Sequence, residues 1–181
     1  MHSEPAELSL RRPAPELLEP YVDFCRETWG HVHDAYILHD PASADVWRRT
    51  VFVELSRAER GEGLPPGIVP SVRYWIFAGA RCVGVADLRP RLNDALRRYG
   101  GHLGLCIRPS DRGRGYARKI MPALFAEAKR YGVGEILLSC VEENVPSARL
   151  LETLPGARIE RDEVFLCGAR RRIIRCRCAL N

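Results

Sequence analysis

Residues 100–117, GGHLGLCIRPSDRGRGYA, constrain this chain more than any other stretch: an alternating apolar run stops at a proline and opens into a turn rich in glycine and arginine. Leu103, Leu105 and Ile107 fall on one face and His102, Gly104 and Cys106 on the other, the period-two pattern of a strand. Beyond the turn, Ala117, Met121, Leu124, Phe125 and Ala128 form an apolar stripe at helical spacing, so the pattern predicts a strand feeding a helix. Such a junction points consecutive unpaired backbone N–H groups and the positive end of the helix dipole the same way. It is a cradle for an anion, phosphate above all.

At 181 residues with 46% apolar content, the chain suits a single α/β domain spanning residues 1–181. The net charge is +5, and Lys119 and Lys129 are the only lysines, so nearly all the basic residues are arginine. They are spread along the chain rather than gathered into a block, which argues against a nucleic-acid groove. The seven cysteines include no CxxC pair and sit mostly in apolar segments, reading as reduced, packed thiols of a cytoplasmic protein. MHSEPAELSL has neither a basic start nor an apolar core, and no run approaches a membrane span, so neither export nor anchoring is expected.

Strands are predicted at 7–10, 71–77, 81–88, 102–107, 135–141, 157–166 and 170–180, the second and third joined by the turn Ala78-Gly79-Ala80. Helices are predicted at 16–29, from Val46 to Leu55, at 91–99, from Ala117 to Ala128, and from Pro146 to Leu154. Gly104 marks a bulge or a close approach within its strand, and Pro122 predicts a kink in its helix. His31, His33, Asp34, His39 and Asp40 crowd one segment, but at no spacing that suits a metal; they read as a polar loop, and no metal is expected.

Arg112-Gly113-Arg114-Gly115-Tyr116-Ala117 follows a strand, opens a helix and precedes a second strand that ends near Asn144. Here the sequence resembles the GNAT N-acetyltransferase family, whose signature R/Q-x-x-G-x-G/A is matched by Arg112, Gly115 and Ala117. The run from LRPRLNDALRRYGGHLGLCIRPSDRGRGYA to SCVEENVPSARLLE is similar to a bacterial branch of that family, and the likeness extends from about Val72 to the C-terminus. The resemblance implies a mixed, mostly antiparallel sheet of about six or seven strands flanked by helices, with the fourth and fifth strands splayed. It also implies acetyl-CoA as cosubstrate. Backbone groups around Cys106 and Ile107 would pair with the pantetheine arm. The amides of Gly113, Arg114, Gly115, Tyr116 and Ala117, with Arg112 beside them, would hold the pyrophosphate. Asn144 and Ser147 match the family's helix start, where the asparagine either contacts pantetheine or caps the helix.

The implied reaction is direct attack of a primary amine on the thioester in a ternary complex, with no acyl-enzyme; Cys106 has no histidine partner in sequence and reads as a packed thiol. His102 on the motif strand is the first candidate for general base, with Glu142 second and Glu143 and Asp87 in reserve. Many family members place a tyrosine seven residues after the asparagine as acid for the departing thiolate. This chain has Leu151 there, and Tyr116 lies at the wrong end of the cofactor to replace it. The acceptor pocket is expected between residues 31–43 and residues 167–172, where Arg170, Arg171 and Arg172 would suit an anionic group. A homodimer through the terminal strands is possible on this reading. The rival functions are a CoA-binding regulatory module without turnover and, more remotely, an arginine-rich nucleic-acid binder.

Overall fold

The computed structural model describes residues 7–30, 39–166 and 168–180. The first sheet has the order β1-β2-β3-β4, formed by Leu8–Arg11, Val72–Ala78, Arg81–Leu88 and Leu103–Ile107. The second has the order β5-β7-β6, formed by Glu135–Val141, Ala169–Ala179 and Arg158–Leu166. All ladders among the described residues are antiparallel. The expected strand count and the separation of the fourth and fifth strands are therefore both present.

The first sheet is covered on both faces because its strands are apolar on both. Val72, Tyr74 and Ile76 of β2 face α5 (Tyr116–Arg130) and α6 (Val145–Glu152), together with the inner face of the second sheet. Trp75 and Phe77 face the opposite way, into a cluster with Tyr21, Val22, Phe24 and Cys25 of α1 (Leu18–Thr28), Trp47 of α2 (Ala44–Trp47) and Val51 of α3 (Val51–Arg60). Each fully buried large side chain contributes roughly 1.5–3 kcal/mol, which makes this second cluster the force that holds α1 to the sheet.

Local departures from expectation have local causes. The helix expected from Val46 to Leu55 is two helices, because Thr50 N–H turns back to the Trp47 carbonyl at 3.0 Å while the Trp47 indole N–H is tied to the Asp40 carbonyl at 2.7 Å. The helix expected at 91–99 is the shorter α4 (Asp94–Arg98), started by Asn93, whose side chain accepts from the Leu96 amide. Pro122 does not break α5, which runs on with Ile120, Met121, Leu124 and Ala128 all buried. Register between β3 and β4 is continuous through Gly104, so no bulge lies there; the one register shift among these ladders falls between Ile76 and Phe77.

Main-chain groups join the two sheets at residues 100–102 and 137–139, where the Gly100 N–H donates to the Ser139 hydroxyl at 2.6 Å. Gly101 forms an isolated bridge with Leu138, and the His102 N–H donates to the Leu137 carbonyl at 2.7 Å. Gly101 has φ +65°, and a Cβ there would lie 2.3 Å from the Leu137 carbonyl oxygen, so no other residue fits this approach. Past that point no ladder joins β4 to β5 among the described residues, and a cleft opens. Gly101→Ala is expected to cost well over about 1 kcal/mol, from a left-handed backbone and a backbone clash together. Denaturant melts of the variant beside wild type measure it, and an unchanged midpoint would contradict the close approach.

Candidate active site

The cleft has a backbone wall. Arg108 N–H donates to the Val83 carbonyl at 2.9 Å and the His102 carbonyl accepts from Arg89 N–H at 2.8 Å, so the even-numbered residues of this strand are turned toward β3. By alternation, the main-chain groups of Leu103, Leu105 and Ile107 face the cleft. This corrects the expected pantetheine contacts at one position. Ile107 presents its backbone to the cleft, whereas Cys106 turns its backbone toward β3 and buries its side chain among the α1 cluster.

Beyond β4, residues 109–111 make one tight turn and the chain passes through Gly113 (φ 77°) and Gly115 (φ 75°) into α5. Nothing lies within 4 Å of where a Cβ would stand on either glycine, so the space above both is open. The first helical bond runs from Lys119 N–H to the Gly115 carbonyl at 3.0 Å. Among the described residues, no hydrogen bond engages the amides of residues 113–118. Unpaired donors, left-handed glycines and the helix dipole thus converge on one exposed spot. Arg112, Arg114 and Arg118 stand around it; Arg112 Nε reaches the Ile107 carbonyl at 3.3 Å and Arg118 the Thr153 carbonyl at 3.3 Å.

A charge network that sequence reasoning missed fixes the start of this loop. Arg108, 2% exposed, donates to Asp23 at 2.9 and 3.0 Å and to Glu27 at 3.1 Å, and lies over the Phe24 ring. Glu27 also accepts the Ser110 amide at 2.8 Å, and buried Asp111 accepts from Arg81 at 3.1 Å. Burial works against the Glu27 carboxylate, but Ser110 and Arg108 outweigh it and hold Glu27 below the usual carboxylate range. The α1 carboxylates lie more than eighty residues from Arg108 and Ser110 in the chain, so no local spacing announces them.

The residues expected to do chemistry have separate surroundings. His102 is half-buried at its closed end, with Nδ1 accepting the Leu137 N–H at 2.8 Å. Glu142, just past β5, is held by Arg172 at 3.3 Å and Arg161 at 3.6 Å, and lines a shallow hollow of about 140 Å³ with Arg161, Asp162, Glu163, Arg172 and Ile173. Asp87 is not a solvated loop carboxylate. It is buried in a two-point pair with Arg73 at 2.6 and 3.0 Å. Glu143 pairs with Arg171 at 3.7 Å. Asn144 caps α6 by accepting the Ser147 amide at 3.3 Å, so the capping role is made in this state. Leu151 is buried, its carbonyl accepting from the Cys176 thiol, and Tyr116 packs against the core at the α5 end of the cleft.

Arg170, Arg171 and Arg172 are not a free anion site, since they pair with Glu163, Glu143 and Glu142. Of the histidine-rich segment, residues 31–38 lie outside the described residues, as does Cys167 in the expected acceptor region. His39 sits against Tyr21 and Trp47, with Nδ1 hydrogen-bonded to the Tyr21 hydroxyl at 2.7 Å. Burial, reinforced by Arg73, pushes His39 down to about 4 from its ordinary 6.5. Because the folded value is the lower one, the unfolded chain binds more protons between pH 6.5 and 4, and stability falls as pH drops through that window. The loss is on the order of 3 kcal/mol at most. His39→Gln keeps an acceptor that does not titrate, and thermal melts across the window are expected to flatten; an unchanged slope would remove His39 as the source.

A family model described as an acetyltransferase (GNAT) domain matches residues 7–155 of this chain. The chain therefore belongs to the GNAT acetyltransferase family. A search of curated proteins finds no match. Among solved structures, the fold is shared with a ribosomal-protein-S5-alanine acetyltransferase from Vibrio fischeri, at TM-score 0.68 and 12% identity over 99% of this chain and 96% of that one. A ribosomal L7/L12 α-N-protein acetyltransferase, RimL, in complex with coenzyme A matches at TM-score 0.66 and 15% identity over 97% and 96%. YncA from Salmonella typhimurium, solved with acetyl-CoA, matches at TM-score 0.61 and 16% identity over 96% and 94%. At these identities the likeness speaks to fold.

Proposed function

We propose that this protein transfers an acetyl group from acetyl-CoA to a primary amine by direct attack with both substrates bound. The observation that carries the reading is the pairing of an unladdered β4 edge with the unengaged amides of residues 113–118, in a chain of the GNAT family. The donors fit the coenzyme's chemistry: a pyrophosphate suits a nest of N–H groups flanked by Arg112 and Arg114, and an extended amide-bearing arm suits the edge of a strand. Among the described residues, no helix is long and apolar enough to cross a membrane.

Acetyl-CoA supplies the activated acetyl group as a thioester. The chain supplies position and polarity. Leu103, Leu105 and Ile107 offer main-chain groups along the cleft, where an N–H is available to polarise a carbonyl oxygen. Gly113, Arg114, Gly115, Tyr116 and Ala117 bind the anionic end, while Asn144, through its cap to Ser147, fixes the start of α6 at the far wall. Buried thiols speak for direct transfer: burial pushes Cys82 up to about 12 and Cys140 up to about 11, far from a thiolate at neutral pH.

Glu142 is the carboxylate we assign to take the proton from the attacking amine nitrogen as the C–N bond forms, while the C–S bond breaks and CoA leaves as a thiolate that takes its proton from solvent. Glu142 opens onto the hollow by β6 and β7, and its side chain is more accessible than the buried Asp87. Structural neighbours named for ribosomal-protein and spermidine N-acetylation act on amines of this general class. The paired state of the arginines on β6 and β7 gives no support to the nucleic-acid reading. Calorimetric titration of the coenzyme-free protein with acetyl-CoA and CoA, followed by product mass across small amines, amino acids and peptide N-termini, tests the proposal. Binding and an acetylated amine are expected; absence of binding to either nucleotide would overturn it, and binding without any product would favour a regulatory module. Glu142→Gln is expected to lower turnover roughly 10²-fold with coenzyme affinity unchanged, and full activity would remove Glu142 from the reaction.

A further inference from the structure

His102 lies at the join between the two sheets, beside the Gly101–Leu138 bridge and the Gly100–Ser139 bond, and it takes part in an unusual way. In a regular strand the N–H and C=O of a residue point to the same edge. At His102 they point to opposite sheets: the N–H donates to Leu137 of β5 at 2.7 Å and the C=O accepts from Arg89, next to β3, at 2.8 Å. Gly101, at φ +65°, precedes this crossing. The Leu137 N–H, which in a continuous ladder would find a backbone carbonyl, finds His102 Nδ1 at 2.8 Å instead. Leu137 thus exchanges two hydrogen bonds with a single residue, one through the backbone and one through an imidazole.

We propose that His102 is a positioning residue whose imidazole stands in for a ladder carbonyl, pinning β5 to β4 at one point while blocking the zipping of the two strands, and so setting the width of the cleft. The Leu137 amide can only donate, so Nδ1 must be unprotonated and the neutral ring carries its proton on Nε2. No lone pair is left for a general base while the latch is closed. This replaces the base role that the sequence suggested for His102. The consequence for catalysis rests on the reading of the cleft as the coenzyme site, whereas the latch itself does not.

The latch depends on pH in one direction. Burial, together with the nearby cations Arg97 on α4, Arg177 on β7 and Arg89 beyond β3, pushes His102 below the ordinary histidine value. Protonating Nδ1 sets two donors face to face, so acid opens the latch and neutral pH keeps it closed. Arg177 is itself neutralised by Glu135 at 3.2 Å, which leaves Arg89 and Arg97 as the charges to screen.

The test reads the Leu137 amide in the coenzyme-free protein, by hydrogen exchange and by its ¹H–¹⁵N shift between pH 5 and 8, in wild type, His102→Asn and His102→Ala. Asparagine offers an acceptor oxygen close to the position of Nδ1 but neither titrates nor serves as a base. In wild type the amide is expected to be protected and its shift to follow the His102 titration. In His102→Asn, protection stays and the titration vanishes; in His102→Ala, protection falls about tenfold, the loss of one hydrogen bond. CoA affinity should drop about tenfold in His102→Ala and return to within about threefold of wild type in His102→Asn, with turnover retained. Protection unchanged in His102→Ala overturns the proposal, as does a His102→Asn variant that keeps Leu137 protected yet loses turnover, the signature of a base. Should His102→Ala not fold, the wild-type titration and the asparagine variant still decide. Failure of wild type to bind CoA would sink the coenzyme reading alone, because the amide judges the latch without it.

Discussion

The structure depends on two strands that touch once and then part. Had β4 and β5 paired along their length, the seven strands would form one continuous sheet with every interior backbone group satisfied. Instead they share a bridge at Gly101 and Leu138, a pair of bonds at His102 and Leu137, and a bond from the Gly100 N–H to Ser139. Beyond it, the cleft-facing main-chain groups of β4 have no ladder partner among the described residues. Unmet backbone hydrogen-bonding capacity is costly when it is shut away from water. A cleft walled by it is therefore a place where an extended polar ligand gains more than it loses.

Everything around the cleft holds it in that state. The two apolar clusters pin the first sheet from either side, so β4 cannot rotate to close the gap. Asp23 and Glu27 on α1 reach across to Arg108 and Ser110 and tie that helix to the turn that leads into α5. The buried Arg73–Asp87 pair locks β2 to β3 on the same face. Arginines, whose excess in sequence raises the thought of nucleic acid, are matched by carboxylates in the second sheet: Arg175 meets Asp162 and Glu160, and Arg177 meets Glu135 and Glu160. Such exposed pairs contribute little to stability singly, and they neutralise one another's field.

How much of this was legible in the sequence follows from how local the causes are. Strand and helix positions came through closely where one period dominated, as at Glu135–Val141, where prediction and strand coincide residue for residue. The strand-to-helix turn was legible for the same reason, since glycines, arginines and a change of period lie within a few positions of one another. The roles of Asp87 and His102 were not, because each depends on strand register, which sets Arg73 opposite Asp87 across the β2–β3 hairpin and His102 opposite Leu137, 35 residues away. Cys106 was misjudged by one position because the direction of a backbone N–H alternates with register, and register is set by β3.

The central claim is that an extended coenzyme lies against the free edge of β4 with its anionic end on residues 113–118. Amide hydrogen exchange resolved to single residues, with and without CoA, tests it most directly. The account predicts that CoA slows exchange at cleft-facing amides of Leu105 and Ile107 and at residues 113–118, while amides on the β1 side of the first sheet stay as they were. Protection gained elsewhere on the molecule, with those amides unaffected by bound CoA, would contradict it.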